Sequence, residues 1–267
     1  MEILGRLISE KTTQHIQEIE ASLHKPVIYE FTDPQKTQSY GQCDAWQNDA
    51  YYVYSKEALF NAARKKQINI PFETNLLHEL SHLCQMEEGF PHTGTVHNAT
   101  TAHDPDFFNS VGSVIASSIL DLNVDFRLKE MGYTSEYFYQ NRIIRAEKIF
   151  TRMKKGERLQ AISFVTYACM LTCLNLVYQG PDLERVMNLC QEKVPGLYEC
   201  VAYLSRNIGQ IGFNDSFSAF KSLVFLFSGF NLWNTHTITY NGQGFNSLDA
   251  VLAFYPDIRT WEDPPHA

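Results

Sequence analysis

The sequence predicts an α+β fold: a small sheet, helices that carry the candidate site, and a mainly helical C-terminal lobe. Three observations predict it. Runs of β-forming residues cluster before residue 56, a helical period dominates from about residue 70 onward, and Gly and Pro interrupt the later part at 180–181, 195–196 and 241–244. The expected organisation is a core that carries the candidate site over residues 1–135 and a helical lobe over residues 136–267.

Residues 4–23 place Leu4, Leu7, Ile8, Ile16, Ile19 and Leu23 at helical spacing, which reads as an amphipathic helix. Residues 25–31 form a short apolar run and read as a strand. Two further strands are expected within residues 39–55, where Tyr51-Tyr52-Val53-Tyr54 follows the turn residues Gln47-Asn48-Asp49. A helix is expected over residues 56–66 and another over residues 72–86, with Leu76, Leu77, Leu80, Leu83 and Cys84 on one side. Residues 87–103 are rich in Gly, His, Thr and Asn and read as a loop. Asp104-Pro105-Asp106 has the chemistry of a helix start, with an acid at the cap and proline in the first turn; Gly132 is the matching stop. From Thr134 to the end the pattern is mostly helical.

Composition excludes several classes of function. Among 267 residues, 44% are hydrophobic and 19% charged, which is enough apolar material for a substantial core. A formal net charge of −8 gives no electrostatic reason to hold nucleic acid or an anionic membrane, so neither is expected as a partner. The N-terminus has no basic segment followed by an apolar run. The most apolar stretch, residues 161–178, contains Ser163, Thr166, Thr172 and Asn175 and reads as a buried helix. A cytoplasmic location is expected on these grounds. The six cysteines are scattered without a C-x-x-C pair and read as reduced thiols.

Residues 78–82 read His-Glu-Leu-Ser-His. On a helix, positions i and i+4 lie on one face, so His78 and His82 can point at one metal ion. Zinc accepts nitrogen ligands at about 2.0–2.1 Å in tetrahedral geometry, so the pair fills two of four positions. Glu79, beside the first histidine, can reach a metal-bound water and take its proton. The alternative is a pair of solvated surface histidines.

With this motif on a helix, the sequence resembles the zincin superfamily of metallopeptidases, whose signature is H-E-x-x-H. The local resemblance covers about residues 25–132. It implies one zinc ion per chain, a peptide or protein substrate, and an edge strand that pairs with the extended substrate; Tyr51 to Ser55 is the candidate. The metzincin extension is absent, because Gln85 stands where its glycine should be and Glu88 where its third histidine should be. The gluzincin branch, to which thermolysin belongs, takes its third ligand from a later helix in the pattern E-x-x-x-D. Asp121-Leu122-Asn123-Val124-Asp125 resembles it with Asp for Glu. The resemblance implies Asp121 on zinc and Asp125 accepting the outer N–H of His78 or His82. Leu120, Leu122, Val124, Phe126 and Leu128 surround these acids, and buried carboxylates need a partner. An arginine, Arg127 or Arg142, could be that partner for Asp125 instead.

Alternative third ligands are Glu88 and the loop histidines His92, His97 and His103. The resemblance also implies a donor over the oxyanion, for which Tyr133, Tyr137, Tyr139, His236 and Tyr240 are candidates. The function expected is a zinc-dependent metallohydrolase, a metallopeptidase by analogy with the superfamily. Two other classes fit the residues: a zinc-holding regulatory module without turnover, and a metal-free helical interaction protein.

Overall fold

A computed structural model describes residues 1–32, 41–44, 49–57, 70–95 and 105–258. Its chain contacts divide into two units, residues 1–88 with 124–137 and residues 89–123 with 138–267. The architecture is α+β and mainly helical, with small sheets among the described residues.

In the first unit, β1 (Glu2–Ile3) and β2 (Arg6–Leu7) form a short antiparallel hairpin before α1 (Glu10–Ser22). The helix expected from residue 4 therefore starts six residues later. Leu4 and Gly5 both have positive φ, 54° and 72°, and turn the chain where the apolar spacing suggested a helix. Ser9 caps α1. The buried carboxylate of Glu73 gathers that end by accepting from the Ser9 amide at 2.9 Å, the Ser9 hydroxyl at 2.6 Å and the Thr12 hydroxyl.

Strands β3 (Val27–Thr32), β4 (Gly41–Asp44) and β5 (Tyr51–Lys56) form a sheet in the order β3-β5-β4. Strand β5 runs parallel to β3 and antiparallel to β4. It is the central strand, so the edge role expected of Tyr51 to Ser55 is overturned: both rows of its backbone groups are committed to neighbours. Helix α2 (Ile70–Glu87) packs on β4 and β5, with Phe72, Leu76, Leu77, Leu80 and Leu83 fully buried in the unit's core. At its far end the Tyr51 hydroxyl donates to Glu87, while His24 Nδ1 lies 2.6 Å from the other carboxylate oxygen. Burial, then the Glu87 contact, pushes the Tyr51 hydroxyl up to about 12. That hydrogen bond holds the Glu87 carboxyl below its ordinary range. The helix expected over residues 56–66 lies almost entirely outside the described residues.

Helix α3 (Pro105–Glu130) begins and ends close to the expected bounds. Its stop is a paired cap: Tyr133 N–H bonds back to Leu128 O at 2.8 Å and Gly132 N–H to Lys129 O at 3.0 Å, with Gly132 at φ +75°. The alternation at residues 120–128 is thus helical. Residues up to Asn123 belong to the second unit, and from Val124 onward to the first.

The second unit continues with α4 (Glu136–Arg152), α5 (Ala161–Val177), α6 (Pro181–Lys193), α7 (Pro195–Ile211), α8 (Ser216–Gly229) and α9 (Leu248–Phe254). Prolines open α6 and α7, where no helical N–H is lost. Helix α5 is the most apolar stretch and packs on α7, with its buried residues between Tyr167 and Leu174. No helix among the described residues is long and apolar enough to cross a membrane. All six cysteines are free thiols.

Two expectations fail in this unit. The loop expected over residues 87–103 contains β6 (His92–Thr95), and the helical run to the C-terminus is broken by β7 (His236–Tyr240) and β8 (Gln243–Phe245). Asn241 and Gly242 join β7 to β8, both with positive φ, which is the backbone of a two-residue hairpin turn. That Asn-Gly pair beside His-Thr-Ile-Thr-Tyr was the available signal. Strand β6 has no such signal of its own, because its pairing partner β7 is distant in sequence.

Candidate metal centre

Helix α2 carries His78 and His82 one turn apart, with Glu79 next to His78. Its polar side is not solvated: Glu73, Thr74, Asn75, Glu79, Ser81 and Gln85 are all buried, and both histidines are half-buried. A pair of solvated surface histidines does not describe this helix. Burial of so many polar groups is costly unless each serves a bond or a ligand.

The two imidazoles converge. Their Nε2 atoms lie 3.2 Å apart, and the ring planes cross at 81°. Two nitrogens on one tetrahedral zinc stand about 3.3–3.4 Å apart, given metal–nitrogen distances of about 2.0–2.1 Å. The pair is therefore already at ligand spacing. Asp121 on α3 joins it: one ligand atom each from His78, His82 and Asp121 all lie within 4.8 Å of one another. This group could hold a metal ion, and its two imidazoles and one carboxylate are a donor set that zinc accepts.

Asp121 is also an ion-pair partner. Its Oδ2 accepts from Arg142 Nη2 at 3.2 Å, so one carboxylate oxygen faces a guanidinium. Arg142 is thus paired with Asp121. Asp125, one turn on, is buried and accepts from the Ser135 hydroxyl. The outer nitrogen of His82 meets Gln85: Nδ1 lies 2.9 Å from Gln85 Oε1. Sequence reasoning missed Gln85 in this role. The signal was its position three residues after His82, on the same helical face.

Among the other candidates, Glu88 is exposed and forms a two-pronged ion pair with Arg127, one contact at 2.8 Å. His92 lies exposed on β6, while His97 and His103 are outside the described residues. Among the proposed oxyanion donors, Tyr133 bonds the Thr12 hydroxyl at 2.7 Å beneath the Lys11 ammonium. Tyr139 and Tyr240 are buried in the second unit's core, and Tyr240 stacks on Phe220. His236 is buried on β7, with Nδ1 2.7 Å from Thr235 Oγ1. Tyr137 is exposed. No family model, no curated protein and no solved structure matches the chain.

Proposed function

We propose that this chain is a zinc-dependent metallohydrolase of the zincin type, cleaving peptide bonds. The observation that carries the reading is the 3.2 Å approach of the His78 and His82 Nε2 atoms beside a buried Glu79, with Asp121 in the same cluster. His78, His82 and Asp121 would hold the ion. When bound, zinc polarises the scissile carbonyl and lowers the pKa of a water to about 7. Glu79 takes the proton of the attacking water and hands it to the leaving amine. Its burial keeps bulk water from competing for that proton.

The peptide reading draws on the resemblance and on the sheet. Because β5 is central, an extended substrate would add to β4, an outer strand among the described residues that packs on α2. Substrate binding at that strand uses main-chain hydrogen bonds and leaves side-chain preference to neighbouring pockets.

The test is zinc content per chain by elemental analysis, on wild type, Asp121→Ala and Glu79→Gln side by side. The expected result is about one zinc in wild type, clearly less in Asp121→Ala, and full zinc without peptide cleavage in Glu79→Gln. Zinc in the wild type combined with undiminished biological activity in Glu79→Gln would instead identify a zinc-holding regulatory module. A wild type that takes up no zinc would leave a helical interaction protein.

A further inference from the structure

We infer that Gln85 is the positioning residue of this centre: it fixes the His82 tautomer that leaves Nε2 free to bind a metal. The inference rests on the metal reading above and goes beyond it, because the resemblance assigned histidine orientation to Asp125.

The argument is one of donors and acceptors. Gln85 Oε1 carries no hydrogen, so across the 2.9 Å contact the hydrogen sits on His82 Nδ1. A neutral imidazole has one N–H, so His82 Nε2 then carries the lone pair. That lone pair lies 3.2 Å from His78 Nε2, close to the spacing of two ligands on one ion. His82 is thus already in its ligand form.

Geometry makes Gln85 suited to this. It lies three residues beyond His82 on one continuous helix, so the bond survives any movement that leaves the helix intact. The side chain is buried, and a buried amide is kept by the bonds it makes. Asp125 accepts from Ser135 and shows no such contact to His82 among the described bonds. A neutral amide oxygen in place of a carboxylate also leaves His82 a weaker donor to the metal, since carboxylate partners raise ligand basicity.

Two measurements test the inference. The first records the His82 ring nitrogens by long-range ¹H–¹⁵N NMR in metal-free wild type, Gln85→Leu and Gln85→Glu. The second measures zinc affinity of the same proteins by competition with a chromophoric chelator. The expected spectra show Nδ1–H in wild type and Gln85→Glu, and loss of that preference in Gln85→Leu. Zinc affinity should fall about 10- to 100-fold in Gln85→Leu and stay at or above wild type in Gln85→Glu. An Nε2–H tautomer in metal-free wild type would overturn the inference, as would wild-type zinc affinity in Gln85→Leu. If wild type takes no zinc at all, the metallohydrolase reading fails, and the wild-type NMR spectrum still decides the role of Gln85.

Discussion

The Nε2 atoms of His78 and His82 face each other at 3.2 Å with their rings crossed at 81°. Two lone pairs at that distance repel, so the contact needs either a shared hydrogen or a cation between the rings. A metal ion would therefore replace an interaction the protein already makes, and would do so without moving the helix backbone.

Metal should accordingly stabilise the folded chain. A ligand that binds only the native state contributes about 2.7 kcal/mol when present at 100 times its dissociation constant. Thermal unfolding should shift upward on adding zinc to chelator-treated protein, and His82→Ala should lose the shift. A zinc response of equal size in His82→Ala would show that the ion binds elsewhere.

Gly112 on α3 should not tolerate a methyl group. A Cβ there would lie 2.3 Å from His236 Cδ2 and 2.5 Å from its Nε2. The ring cannot easily retreat, because it is buried and packed edge-on against Phe227. Ala is favoured over Gly inside a helix by about 1 kcal/mol, but overpacking a core costs about 1–3 kcal/mol, so the clash should win. Gly112→Ala is expected to lower the denaturation midpoint, whereas Gly229→Ala, with nothing within 4 Å, is not. Equal midpoints for wild type and Gly112→Ala would contradict this packing.

Asp215 caps α8, accepting from the Ser218 amide at 2.9 Å and from the Ser218 hydroxyl. Those bonds, the hydroxyl first, hold its carboxyl below the ordinary range. A folded-state value below the unfolded one means the ionised cap contributes its stability above the unfolded value, about 3.9. That contribution disappears as pH falls through the lower folded value. Asp215→Ala should therefore cost about 1 kcal/mol at neutral pH, and the gap to wild type should close in acid. Urea denaturation of both proteins from pH 7 downward measures the gap; a gap independent of pH would rule out the charged cap.

Much of the centre was legible because its instructions are local. The spacing of His78 and His82 specifies a shared helical face, and the start at Pro105 and stop at Gly132 bound the helix that carries Asp121. Asp121-x-x-x-Asp125 was legible as two acids on one face. Their partners were not: Arg142 stands against Asp121, and Ser135 against Asp125. Gln85 was within reach of the same helical arithmetic and was read only for the glycine it replaces.

The sequence by itself determined the helix that carries the motif and the helix that carries Asp121, with its stop at Gly132, because each depends on bonds between residues three to five apart. Tertiary structure alone decided which strand is central, how residues 92–95 pair, and which of several acids and histidines join His78 and His82. The physical reason is that strand pairing and ligand convergence join residues distant along the chain. Residue types and spacing along that chain carry no measure of those distances, whereas the packed cores fix them.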